Sequence, residues 1–282
     1  MSSQTYADLH LHTNRSDGTN SPEELVALAK AAGVSLMAIT DHDTVSAVKA
    51  GQDAATKAGI QNIPGIEISS KYTGGVLHIL GYGIDINNAY LAEKLEEFQY
   101  ARKHRNEKII LKLRELGIDI RDTEIAAMTK DVSSLGRPHI ARALIGKGVV
   151  GSIQEAFDVY LGTGKKAFVD KEIFSSAETI EIIHQAGGKA FLAHPASLHL
   201  SGGELKDYLK RLISEGLDGM EVYSASHTAP KTAVFEQLAA ELNLLVSAGS
   251  DFHGKNKPNI FVGEINQGKK VNQSTVSEVL WQ

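Results

Sequence analysis

Asp8-Leu9-His10-Leu11-His12 ends the apolar run that begins at Tyr6, and its reading decides the fold. Tyr6–Leu11 is predicted to be a strand, and on a strand residues i and i+2 point to the same face. His10 and His12 therefore aim two imidazoles at one point, as a metal ion requires. A histidine pair on a solvated strand face would read the same way, so its meaning depends on what the rest of the chain sets beside it.

Working outward, strand-like and helix-like segments alternate. Ser21-Pro22-Glu23-Glu24 starts a helix, with Ser as N-cap, Pro in the first turn and acids near the positive end of the dipole. That helix is expected to stop at Gly33. Residues 36–40 read as a buried strand, 46–58 as a helix, and 63–69 and 76–82 as strands joined through Gly74-Gly75, a hairpin signal. From about residue 88 the rhythm changes. Residues 89–116 carry one long helical pattern, followed by shorter helical pieces at 123–130, 138–147 and 153–161. Helices at 177–186, 203–214 and 228–242 then alternate with strands at 189–193, 219–222 and 244–247. Repeated strand–helix units imply a parallel sheet or barrel, because parallel strands need crossovers. The chain thus reads as an α/β body, residues 1–85 and 173–282, carrying an all-helical insertion, residues 86–172.

The remaining candidate ligands fall at the ends of those strands. Asp41-His42-Asp43 follows the second and Glu67 lies near the end of the third. His78 sits in the fourth, and His194 follows the strand at 189–193. Asp251 and His253 follow the strand at 244–247. In β/α barrels the chemistry sits at the carboxyl ends of the strands, and a chance scatter of 11 histidines would not mark those ends so regularly.

As an ordered set, Asp-x-His-x-His, Thr-Asp-His-Asp, Gly-x-Glu-Ile-Ser, His-Ile-Leu-Gly-Tyr, Ala-His-Pro and Gly-Ser-Asp-x-His resemble the polymerase and histidinol phosphatase (PHP) family across the whole chain. Gly136-Arg137-Pro138-His139 in the helical insertion makes the chain similar to the branch of nucleoside 3',5'-bisphosphate phosphatases and 5'-3' exoribonucleases. The resemblance implies a distorted seven-stranded β/α barrel, the insertion capping its active site, and two or three divalent ions (Mn, Fe or Zn). It implies His10, His12, Glu67 and Asp251 around a first ion. Glu67, His78 and His194 would hold a second, with Glu67 bridging, and Asp17, His42 and His253 a third. A carboxylate at position 17 favours a harder ion such as Mn²⁺ or Fe²⁺ there. Asp17 lies in Arg15-Ser16-Asp17-Gly18, where an Asx turn is the plain alternative. Three dications offset by Asp17, Glu67, Asp251 and one bridging hydroxide leave a charge of about +2, which complements a dianionic phosphate monoester.

Other residues are candidates for supporting roles. Asp8 and Asp41 flank the ligands and are expected to orient imidazoles, with strand-end capping as the alternative. His227 follows a strand end and is expected to reach substrate. Arg137 is the expected phosphate clamp, since guanidinium grips phosphate with two parallel hydrogen bonds. Arg102 and Asn106 share a helix face at i, i+4 and are expected to bind substrate, as is Lys165 in the loop after Gly162-Thr163-Gly164. Lys103, His104 and Arg105 read as a solvated helix face.

Composition bounds these readings. The chain has 282 residues, 42% hydrophobic, enough for a large core. It has no cysteine, so thiolate ligands and nucleophiles are excluded. No apolar run is long enough to span a bilayer and residues 1–6 have no signal-peptide core, so a cytoplasmic location is expected. A net charge of −5, with no basic or aromatic stripe, argues against tracking long nucleic acid. The expected substrate is a small nucleotide or a short oligoribonucleotide. A histidinol-phosphate-type phosphatase and a non-catalytic PHP module are the alternatives. The Gly-Arg-Pro-His segment argues against the first, and the retained ligand set against the second.

Overall fold

The computed structural model describes residues 5–126, 135–169, 174–265 and 268–280. Eight strands form one sheet: β1 (Tyr6–Leu11), β2 (Val34–Ile39), β3 (Gln61–Ser70), β4 (Leu77–Tyr82), β5 (Lys189–Leu192), β6 (Gly219–Ser224), β7 (Leu245–Gly249) and β8 (Val271–Asn272). Their order is β7-β6-β5-β4-β3-β2-β1-β8. β4 runs antiparallel to both neighbours, as the hairpin signal requires, while β1–β2–β3 and β5–β6–β7 are parallel.

The sheet curls until its ends meet. The Asp251 N–H, just past β7, donates to the His10 carbonyl at 2.9 Å, and the His12 N–H donates to the Phe252 carbonyl at 3.0 Å. Only glycine allows this approach, since a Cβ on Gly249 would lie 2.2 Å from the Cβ of His10. Seven strands thus make a nearly closed barrel. The sheet holds one strand more than the seven expected: β8, whose two residues pair antiparallel with Tyr6 and Ala7. So short a strand carries no periodic signal of its own.

Leu9, Leu36, Ala38, Leu80, Tyr82, Phe191, Ala193 and Ala248 form one buried cluster. It draws on strands from all around the sheet, so it fills the barrel interior. Outside, α1 (Pro22–Ala31) and α2 (Val48–Ala58) cover β1 and β2 through Leu25, Val26, Ala29 and Ala55 against Met37 and Ile39. The Ser21–Glu24 capping box opens α1 as expected.

The helical segment begins with α3 (Ala89–Glu115) and continues through α4 (Asp122–Ala126), α5 (Arg137–Gly146) and α6 (Ile153–Ala156), which runs into a π-helical turn at Phe157–Leu161. Residues 127–130 of the expected helix at 123–130, and the expected segment boundary at 172–173, lie outside the described residues. Ile109, Ile110, Leu113, Ile140, Leu144 and Leu161 form a core separate from the barrel. The two bodies share α3, whose earlier residues Leu91, Leu95 and Phe98 pack against the barrel with α7 (Ser176–Gln185) and α8 (Gly202–Ser214). α9 (Ala229–Glu241) closes the layer between β6 and β7. Among the described residues no helix is long and apolar enough to cross a membrane.

Candidate metal centre

All nine expected ligands converge at the carboxyl end of the barrel, with Glu67 at the middle. Its Oε2 lies 3.2 Å from His10 Nε2, 3.2 Å from His12 Nε2 and 3.1 Å from His42 Nδ1. Its Oε1 lies 2.9 Å from His78 Nδ1 and 3.0 Å from His194 Nε2. Asp251 Oδ1 lies 3.4 Å from His12 Nε2 and 3.3 Å from His253 Nδ1. Asp17 Oδ1 lies 3.1 Å from His253 Nε2, and its Oδ2 lies 3.7 Å from His42 Nε2. His12, Asp17, His42 and His253 bring four donor atoms within 4.8 Å of one another, as do the triads His10–Glu67–His194, His10–His12–Asp251 and His42–Glu67–His78.

These residues fit divalent ions on their own chemistry. His10 Nε2, both nitrogens of His12, His42 Nδ1 and Glu67 Oε2 are buried with no hydrogen-bond partner. Leaving so many polar atoms unsatisfied is costly unless a ligand takes them. The charges lean the same way. Burial opposes ionisation of Glu67, but His42, His10 and His78 beside it hold its carboxyl well below the usual range. Burial is likewise outweighed at Asp17 by His253 and His42, and at Asp251 by Lys257, His253 and His10. Burial pushes His12 down, yet Asp251 and Glu67 carry it up to about 9. Burial pushes His42 well below its usual value. The backbone is strained at the site, with positive φ at Asp43 (52°), His194 (25°) and Asp251 (58°).

The supporting residues divide. Asp41 holds the loop that carries Asp17, since its carboxylate accepts the Thr13 N–H at 2.8 Å, the Thr13 hydroxyl at 2.6 Å and the Ser16 hydroxyl at 2.5 Å. Asp8 accepts the Ser250 N–H at 2.9 Å, the Ser250 hydroxyl at 2.7 Å and the Gly263 N–H at 2.7 Å, so it ties β1 to the segment after β7. Neither carboxylate touches an imidazole ring nitrogen through these bonds. His227 is not among the grouped donor residues; its Nδ1 lies 2.9 Å from the Val222 carbonyl and its ring packs edge-on against Phe235.

A cavity of about 200 Å³ lies between cluster and helical segment. Asp17, His42 and His78 line its barrel side, and Arg102, Arg105 and Arg137 its helical side. Arg102 pairs with the buried Asp43. Arg137 donates to the Leu161 carbonyl at 3.2 Å. Asn106 is not among the residues lining this cavity and commits its amide N–H to the Leu135 carbonyl at 2.7 Å. Lys165 is exposed and is not among the residues lining this cavity.

Three residues here, Arg105, Glu221 and Lys257, were not singled out by the sequence, and Asp43 was read only as part of its Asp-His-Asp motif. Arg105, read as solvated, is 7% exposed. Glu221, fully buried on β6, lies 3.0 Å from His10 Nδ1. Lys257 Nζ lies 2.5 Å from Asp251 Oδ2. Asp43 accepts the Ser69 N–H at 2.8 Å. The available signal for Glu221 was an acidic residue between two apolar ones on a strand, Met220-Glu221-Val222.

Comparison with known proteins agrees with this geometry. Residues 8–119 match the PHP domain. The chain is 37% identical to a 5'-3' exoribonuclease of Haemophilus influenzae, over 87% of this chain and 89% of that protein. It is 31% identical to a 3',5'-nucleoside bisphosphate phosphatase of Chromobacterium violaceum, over 87% and 86%. A crystal structure from Bifidobacterium adolescentis, described as a metal-dependent phosphoesterase, superposes with a TM-score of 0.85 at 30% identity, covering 97% of this chain and 94% of that one.

Proposed function

Since the chain belongs to the PHP family of metal-dependent phosphoesterases and is a phosphoric ester hydrolase, we propose that it removes one phosphate from nucleoside 3',5'-bisphosphates and trims short RNA from its 5' end. The observation that carries the reading is the cavity with a ligand cluster on one wall and three guanidinium groups on the other. A substrate with two phosphates at a fixed spacing is complementary to both walls. The names of the two relatives above support the same substrate class.

In this reading two or three divalent ions are held as the family pattern implies: His10, His12, Glu67 and Asp251; Glu67, His78 and His194; Asp17, His42 and His253. When bound, such ions polarise the phosphoryl group and activate water at neutral pH. The chain's own residues do the positioning. Glu67 presents one oxygen to His10, His12 and His42 and the other to His78 and His194, so it is the residue placed to bridge. Asp41 fixes the loop of Asp17. Asp43 holds the Arg102 guanidinium against the cavity wall. Arg137, held by the Leu161 carbonyl with its guanidinium carbon 5.4 Å from the Phe157 ring centre, is the guanidinium we assign to grip a phosphate.

A phosphate-release screen with chelated protein and added Mn²⁺ tests this. Nucleoside 3',5'-bisphosphate is expected to outrun nucleoside 5'-monophosphate and histidinol phosphate, and a 5'-phosphorylated RNA tetramer to be shortened. Equal rates on every monoester would remove the bisphosphate reading and leave only a general phosphatase.

A further inference from the structure

We infer that Lys257 is a positioning residue that reserves Oδ2 of Asp251, so that this ligand meets its ion through Oδ1 alone and with part of its charge withdrawn. The inference rests on Asp251 as a ligand, as assigned above, and not on which phosphate ester is cleaved.

The two oxygens of Asp251 face different company. Oδ1 lies 3.6 Å from His10 Nε2, 3.4 Å from His12 Nε2 and 3.3 Å from His253 Nδ1, so it belongs to the cluster. Oδ2 lies 2.5 Å from the Lys257 ammonium, and among the described residues no other carboxylate pairs with that lysine. An ion pair near a surface ordinarily contributes little, because long side chains must be held in one geometry. Here the fold holds them. The Asp251 side chain is 12% exposed, and its backbone N–H is bonded to the His10 carbonyl. The turn that delivers Lys257 is tied to the loop of Asp17 at two points. The Lys255 N–H donates to the Thr19 hydroxyl at 3.0 Å, and the Asn256 side-chain amide donates to the Asp17 carbonyl at 2.5 Å. The Lys257 N–H closes the turn on the Gly254 carbonyl at 3.1 Å.

The sign of the charge sets Lys257 apart from Glu221. Glu221 is an anion beside His10, which makes an imidazole a stronger donor. Lys257 is a cation behind an anionic ligand, so it weakens the donation. A carboxylate that binds through one oxygen, with the other neutralised, leaves more positive charge on a dication. The ion is then a stronger Lewis acid toward a phosphoryl group and is held less tightly.

The test compares metal-loaded wild type with Lys257→Met and Lys257→Arg. With Co²⁺ as the probe, Lys257→Met is expected to absorb more weakly in the visible, because freeing Oδ2 adds an oxygen to the coordination of the ion. Lys257→Arg keeps a cation at that oxygen and is expected to keep the wild-type spectrum. Competition with a chelator is expected to show one ion held about tenfold tighter in Lys257→Met. Lys257 is not among the residues lining the cavity, so kcat for phosphate release is expected to fall about tenfold with KM little changed. An unchanged Co²⁺ spectrum, weaker metal binding, or a loss confined to KM would overturn the inference. A crystal structure of the Mn²⁺-loaded wild type supplies a readout that needs no variant, and it is expected to show Nζ still on Oδ2. Both Asp251 oxygens on the ion would overturn this inference alone. No ion at Asp251 would remove the ligand assignment and the inference with it.

Discussion

Nδ1 of His10 lies 3.0 Å from Oε1 of Glu221, and the other oxygen of that carboxylate accepts the His194 backbone N–H at 2.8 Å. Glu221 is placed to accept the Nδ1 proton of His10, which leaves Nε2, the nitrogen that faces Glu67, as the one free to ligate a metal. One buried side chain thereby fixes the tautomer of one candidate ligand and the backbone of another.

Glu221→Gln cannot satisfy both donors, because its amide NH₂ must face one of them. Metal affinity is expected to fall about tenfold to hundredfold, the usual cost of losing a partner behind a ligating histidine. Competition titration against a metallochromic chelator measures this. Unchanged affinity would make Glu221 a packing residue.

Glu67 is expected to be the least replaceable ligand. Chelation should abolish phosphate release and Mn²⁺ restore it, while Glu67→Gln, which removes the charge between five imidazoles, should lose at least one bound metal per chain. Elemental analysis of the purified variant checks the stoichiometry directly. A full metal complement with wild-type turnover would reassign the bridge.

Stability should respond to pH with opposite signs in the two metal states. Without metal, Glu67 and its fellow carboxylates outweigh burial at His10 and His12, raising His10 well above 6.5 and His12 from 6.5 to about 9. A base raised in the folded state stabilises fully below its unfolded value and loses that contribution as pH rises through its folded value. Burial lowers His42 and His253, so those two act below pH 6.5 and do not cancel the effect. Chelated protein should therefore melt lower as pH rises from 6.5 to about 9. Metal-loaded protein should hold or gain, since ions compete with protons for the same nitrogens. Parallel melting curves in the two states would sink this account.

Gly249→Ala should be costly, because its Cβ would meet the Cβ of His10 at 2.2 Å and the His10 nitrogen at 2.7 Å, both on the closing strand. A loss of about 1–3 kcal/mol is expected by denaturant unfolding. Gly146→Ala is the control, since nothing lies within 4 Å of its new Cβ at the end of α5. It should be neutral or slightly stabilising.

The parts legible in the sequence are those governed by short-range periodicity. β1 is found at Tyr6–Leu11 as read, and the strand ends that carry Glu67, His194 and Asp251 follow from alternating apolar runs and turn residues. Arg105 was misread because the face it occupies on α3 is decided by which helices of the insertion fold back over it, and no local pattern encodes that. Glu221 sits on a strand whose neighbours are all buried, where a carboxylate gains meaning only from the imidazole across the barrel. Lys257 comes to Asp251 from a loop six residues on, through a turn without periodic signal.

The shared helix α3 has a consequence for selectivity. Phe98 is fastened in the barrel-side core and Ile109 in the helical one, with Arg105 between them. In the function proposed above, the rod is the beam of a caliper, with the ligand cluster as one jaw and the arginine-lined wall as the other. Each residue added to a helix advances it about 1.5 Å and turns it about 100°. A single insertion between Phe98 and Arg105 would swing the second jaw off the cavity with both cores still able to form. In the function proposed above, the spacing of phosphates that the site accepts is thus written in the phase of one helix.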